Sequence, residues 1–193
     1  DSGLNLFIPS EQRFIPYIHS EAQEDSIIDN YVRSIYLDAS GILWLGTPAG
    51  LDCLDVHKNR FVHFTHDPMD IKSLSSSSVL AIYQSNDGVL WVSTYGGYIN
   101  KYYRGMDRFA YFHYSTQNPW SIGGNLIFKI FTGEDNYVWI ATVDGGLSRL
   151  DPLTGHFKVY QHNESQPGSL STDEVWSVIK DSRGTLWVGT RAG

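Results

Sequence analysis

Four Trp-centred copies of one short stretch constrain this chain more than any other feature. "GILWLGTPAG" (41–50) returns as "GVLWVSTYGG" (88–97), "NYVWIATVDGG" (136–146) and "GTLWVGTRAG" (184–193). Trp44, Trp91, Trp139 and Trp187 are spaced by 47, 48 and 48 residues. A repeat of that length is one supersecondary unit that cannot bury its apolar face alone, so neighbouring units must stack.

Each unit opens on a β-rich run, "VRSIYLD" (32–38), "VLAIYQS" (79–85), "IFKIFTG" (127–133) or "VWSVIKD" (175–181), here strand A. A tight turn follows on Gly41, Gly88, Asn136 or Gly184, and Asn is the non-Gly residue that best tolerates positive φ. Strand B, "ILWLGT" and its counterparts, is apolar almost without alternation, as a strand packed on both faces must be. Its Trp is expected to fill the seam between neighbouring sheets. Thr47, Thr94, Thr142 and Thr190 close strand B, and Gly50, Gly97, Gly145 and Gly193 mark the next turn, with Gly3 in the same slot. Strand C ("LDCLD", 51–55) and a second hairpin lead to strand D, which carries Phe14, Phe61, Phe109 or Phe157. An aromatic follows three residues later at Tyr17, Phe64, Phe112 or Tyr160.

No helical period of adequate length appears. Four-stranded antiparallel units at this period predict an all-β fold, a β-propeller with four blade-equivalents. The expected segments are a half blade at 3–19, blades at 31–66, 78–114 and 126–162, and a half blade at 174–193, forming one domain over 1–193 and read as a piece of a larger propeller. Strands C and D at the start and A and B at the end complement each other as one composite blade. Their edges are expected to pair, either within the chain as a four-bladed ring or with a second copy or further blades of a parent chain.

Composition narrows the function classes. With 41% hydrophobic and only 18% charged residues, the chain is neither disordered nor a coiled coil, and no apolar run is long enough to span a membrane. A formal charge of −7 with scattered Lys and Arg argues against nucleic acid as a partner. Cys53 is the single cysteine, so no internal disulfide forms.

At these residues the sequence resembles the two-component regulator propeller repeat. The resemblance rests on Val32/Ile35, on "DASGILWLGTPAGL" and "RFVHF", and on the loops "DIKSL", "NPWSI" and "QPGSL". It covers essentially the whole chain. Departures such as Asn136 for Gly, or Ser93 and Ala141 for Gly, are small. The resemblance implies the periplasmic sensor region of a hybrid two-component receptor, with a kinase elsewhere in the parent protein, an oligosaccharide as ligand and no membrane contact by this segment.

Catalytic and metal chemistry are not expected. The sialidase Asp box is not met, because the acid lies three residues before the turn Gly (Asp38, Asp181) or one before it (Asp87). These acids read as turn-stabilising Asx residues. His19, His66 and His162, with Tyr114 at the remaining equivalent position, lie on different blades, too far apart to share an ion. No cofactor, metal or nucleophile–base arrangement is indicated. Candidate ligand contacts are therefore residues that differ between repeats on the face where B-to-C turns and D-to-A loops meet. They are Tyr95, Asp144 and Arg191 in turns, and Trp120 and Asn125 in a loop. A protein-interaction or dimerisation platform without small-molecule binding is the alternative.

Overall fold

Short apolar runs separated by left-handed turns form strands throughout the computed structural model, which describes residues 3–133 and 135–192. The described residues contain sixteen strands and no helix. The first sheet pairs β1 (Leu4–Ile8) with β2 (Arg13–Tyr17). The first full blade is β3 (Ser34–Leu37), β4 (Ile42–Gly46), β5 (Leu51–Asp55) and β6 (Arg60–Phe64). The second is β7 (Val79–Gln84), β8 (Leu90–Thr94), β9 (Tyr98–Tyr103) and β10 (Arg108–Phe112). The third is β11 (Ile127–Thr132), β12 (Val138–Thr142), β13 (Gly146–Leu150) and β14 (Phe157–Tyr160). The last sheet is β15 (Val175–Lys180) with β16 (Leu186–Thr190).

All sheets are antiparallel in simple sequence order. The inner strands touch one another in succession, β3 on β7, β7 on β11 and β11 on β15, which is the radial arrangement of propeller blades. The A-to-B turns contain the expected left-handed residues, Gly41 at φ 83°, Gly88 at 84°, Asn136 at 59° and Gly184 at 84°.

The next turn departs from the expected alignment by one residue. Gly46 pairs with Leu51, Ser93 with Ile99 and Ala141 with Leu147, so the second and third blades make a longer B-to-C turn than the first. The slot before strand C is therefore held by Gly3, Gly50, Tyr98 and Gly146, not by Gly97 and Gly145. At Gly3, Gly50 and Gly146 a Cβ would lie 2.1, 2.7 and 2.2 Å from the carbonyl oxygens of Tyr17, Phe64 and Tyr160. Close approach of strand D to the start of strand C is what calls for glycine there. Gly193 lies outside the described residues.

The core lies in the seams. Trp44 is buried against Leu90 and Val92 and against Tyr102 and Phe109 of the next blade. Trp91 is buried with Ile130, Ile140, Leu150 and Phe157. Strands C and D of a following blade are what cover each Trp, and this corrects the expectation that all four fill a seam. Trp139 is followed by the two-stranded sheet β15–β16 and is half-buried, beside a cleft of about 480 Å³ lined by Leu147, Tyr160 and Leu186. Trp187, with no described sheet behind it, is 55% exposed. β1 and β16 belong to separate sheets, so the chain does not close on itself as a four-bladed ring.

Candidate functional site

The Trp motif is held by its own turn. Asp38 Oδ1 accepts from the amide of Ser40 (2.8 Å), from the Ser40 hydroxyl (2.7 Å) and from the Ile42 amide (3.1 Å), while Oδ2 accepts from Trp44 Nε1 (2.8 Å). Asp181 does the same for Arg183, Thr185 and Trp187. In the second blade Ser85 Oγ accepts from Trp91 Nε1 at 3.3 Å. The third repeat places Gly133 at this position, and Trp139 Nε1 is buried with no hydrogen-bond partner. The repeated acids are thus structural, as their turn positions suggest.

Asp38 also pairs with Arg104, reaching across from the second blade, whose guanidinium donates to Ser40 Oγ at 2.6 Å as well. Burial would raise the Asp38 pKa, but the bonds from Ser40, Trp44 and Ile42 outweigh it and hold the carboxyl down at about 2 against an ordinary 3.8. A depressed carboxylate contributes stability that is complete above its unfolded value and is lost as pH falls through the folded one. The melting temperature is therefore expected to drop between about pH 4 and pH 2, and less steeply in Asp38→Asn, as thermal denaturation across that range would show.

The three repeat histidines close loops. Nδ1 of His19, His66 and His162 lies 2.8, 2.7 and 2.6 Å from the carbonyl oxygen of Ile27, Leu74 and Leu170. Each ring donates from Nδ1 to the loop entering the next strand A. Among the described residues no three His, Cys, Asp or Glu side chains come together as a metal site.

Of the candidate ligand contacts, the structure brings Asn125 and Asp144 together at the entry of the third blade, while Tyr95 lies at the entry of the second. The Tyr95 amide donates to the Ser78 carbonyl at 2.8 Å, leaving its ring 63% exposed. Asp144 accepts from the amides of Asn125 (3.0 and 2.9 Å) and Leu126 (3.0 Å). Asn125 also abuts the preceding blade's turn, its Cα 2.4 Å from where a Gly97 Cβ would stand. Arg191 holds the equivalent turn of the last sheet, donating to both Oε atoms of Glu174 at 3.2 Å. Trp120 does not join them. It stacks on His156 (4.8 Å between centroids, planes 14° apart), and its carbonyl accepts from Phe157. Phe157 pairs with Leu150, at the far end of β13 from the B-to-C turn, so Trp120 sits at the opposite end of the blade. The reason is the length of the D-to-A loop, which runs down the outer edge of the next blade before returning to strand A.

One set of buried residues escaped the sequence reading. Asp52, Asn100 and Ser148, all fully buried, accept from the loop amides of Ile28 (2.9 Å), Ser75 (3.0 Å) and Gly123 (3.0 Å). The signal is a polar residue directly after the first aliphatic residue of every strand C, Asn5 after Leu4, Asp52 after Leu51, Asn100 after Ile99 and Ser148 after Leu147. In the first blade His63 Nδ1 meets Asp52 Oδ1 at 2.6 Å and Nε2 faces the Glu24 carbonyl at 3.2 Å. Both ring nitrogens thus face acceptors. Burial alone would lower the His63 pKa, but the bond to Asp52 outweighs it and holds the ring above its usual value. The Asp52 carboxyl is itself pushed up by burial.

The radial sheets and their loop-anchoring polar network define a run of β-propeller blades. The sequence profile of the two component regulator propeller family matches residues 26–49, 73–96 and 169–192. The repeat outside those matches is the one with Gly133 in place of the Trp-binding acid and Asn136 in the turn. Among solved structures, the extracellular domain described as that of a hybrid two component system from B. thetaiotaomicron is 28% identical with a TM-score of 0.81, over 98% of this chain and 25% of that one. PorZ, a surface component of the type-IX secretion system of Porphyromonas gingivalis, is 20% identical with a TM-score of 0.67, over 98% of this chain and 28% of its own. Virginiamycin B lyase from Staphylococcus aureus is 15% identical with a TM-score of 0.61, over 82% of this chain and 48% of the lyase. At those identities the latter two share the fold alone. This chain spans a quarter of the length of the first. No match was found among curated proteins. No helix among the described residues is long and apolar enough to cross a membrane.

Proposed function

We propose that this chain is a periplasmic ligand-sensing propeller segment of a hybrid two-component receptor, that it responds to an oligosaccharide, and that it signals to a kinase outside this segment. The observation that carries the reading is the regulator-propeller repeat, together with likeness over nearly the whole chain to an extracellular domain of such a system. The reading is of a binding module and not of an enzyme, because the repeated carboxylates are engaged in turns and in anchoring Trp indoles. A thermal-shift screen against a glycan library is expected to yield at least one oligosaccharide that raises the melting temperature. A library without effect, at concentrations that report known sugar-binding proteins, would overturn the reading.

A second reading, an assembly platform, is favoured by one observation: Trp187 and Ile179 are each 55% exposed at one end of the arc, and Phe7 (47%) and Phe14 (63%) at the other. Further blades or a second copy would bury both faces. Light scattering after size-exclusion chromatography is expected to show association at high concentration, and a strictly monomeric, non-aggregating particle would contradict it.

A further inference from the structure

The inner strands carry a feature that their turns do not. β7, β11 and β15 each contain a bulge at the same place, between Val79 and Ala81, Ile127 and Lys129, and Val175 and Ser177. The inserted residues are Leu80, Phe128 and Trp176. Each bulge lies one step from the rung that ends at the B-to-C turn, Val79 with Thr94, Ile127 with Thr142 and Val175 with Thr190. The bulges therefore stand at the B-to-C-turn end of the inner strands, which line the central side of the arc.

A bulge lets residues three apart share one face of a strand. Val79 and Ile82, Ile127 and Ile130, and Val175 and Val178 are all buried in seams. The extra residue is re-aimed out of the sheet. In two neighbouring blades it is a large aromatic, and Phe128 and Trp176 meet edge to face with centroids 4.7 Å apart. Each remains 47% exposed. For Phe128 this exposure is distinct from that of the uncovered end, because the β15–β16 sheet follows its blade. Two adjacent half-bare aromatic rings at this end of the strands are what a ligand with a flat apolar face would cover.

Polar groups occupy the same end of the blades. Arg33 holds the corresponding place in the V-x-x-I run of the first blade. Its guanidinium donates to Ser78 Oγ at 2.8 Å and lies 5.4 Å from the centre of the Tyr31 ring. Tyr95 hangs from the turn anchored on that same Ser78, and Arg191 is neutralised by Glu174. Exposed aromatic faces at the same end of the blades as these donors, on a chain of formal charge −7, suit a neutral sugar better than a polyanion.

Resting on the sugar-sensing reading above, we propose that Phe128 and Trp176 form the stacking floor of a binding site at the B-to-C-turn end of the inner strands. The site takes one pyranose ring of a neutral oligosaccharide.

The test is calorimetric titration with xylo-, manno- and cello-oligosaccharides, and with oligogalacturonides as the charged arm. It compares the wild-type chain with Trp176→Ala, Phe128→Ala, Trp176→Phe and, as control, Trp120→Ala at the opposite end. The expected result is binding of a neutral oligosaccharide that Trp176→Ala and Phe128→Ala each weaken by about tenfold or more, ~1.4 kcal/mol. Trp176→Phe should retain most of the affinity, and Trp120→Ala all of it. Trp176→Phe keeps the test valid should an alanine variant fail to fold. Binding that survives both alanine variants would overturn this site while leaving the sugar-sensing reading intact. Preference for oligogalacturonides would overturn the neutral ligand class, and absence of binding throughout would overturn both proposals.

Discussion

Replacing Trp91 with alanine is expected to destabilise the protein by about 3–5 kcal/mol, the usual cost of truncating a large aromatic in a packed core. Trp91 is 1% exposed, and the seam around it is built from two blades, with Leu150 and Phe157 of the third closing over it. No rearrangement of one blade can fill the void, because the opposing wall belongs to another sheet. The informative comparison lies within the chain. Trp187 occupies the same motif position, yet it is 55% exposed and should lose far less on the same substitution. Trp120, outside the motif, should also lose little. Chemical denaturation of the three variants checks this ordering, and equal losses at Trp91 and Trp120 would mean that the seams are not the core.

Substituting Asp52 with alanine should rank next, at about 1–3 kcal/mol, the cost of removing a buried acceptor and leaving its donors without a partner. Here the change would leave the Ile28 amide without its acceptor and His63 Nδ1 without its carboxylate partner. Asp52→Asn should be milder, because Asn100 performs the same task in the second blade by accepting from the Ser75 amide. The pair also sets a pH dependence. His63 is held above its ordinary value, so its contribution is complete below about pH 6.5 and is lost as pH rises through the raised folded value. Melting temperatures taken from pH 6 upward should show a decline in the wild type that is flattened in Asp52→Asn.

Much of the fold was legible because a repeat samples the same local problem several times. Gly41, Gly88 and Gly184 share one turn with Asn136, and only a demand for positive φ unites those residues. The paired aromatics of strand D, from Phe61 and Phe64 onward, were legible for the same reason. Alignment failed where two repeats differ in length. Gly145 looked like the partner of Gly50, and only strand pairing assigns that place to Gly146. The candidate site was less legible. Asn125 and Asp144 do come together, but Tyr95 lies one blade earlier and Trp120 at the opposite end of the blade, because the connection of a loop does not give its course. The polar residue that follows Leu4, Leu51, Ile99 and Leu147 is present in every repeat, but its role depends on a loop amide supplied from outside the strand.

The sequence by itself determined the blade: its strands, its turns, the Trp on strand B and the acid that binds the indole, all settled by contacts within one repeat. Tertiary structure alone decided which of four equivalent Trp residues is buried, which loop reaches which end of a blade, and where Phe128 meets Trp176. Those outcomes depend on what the neighbouring blade supplies. A local pattern specifies the face that a strand presents, but burial is a property of two surfaces, and the second lies one period away in the chain.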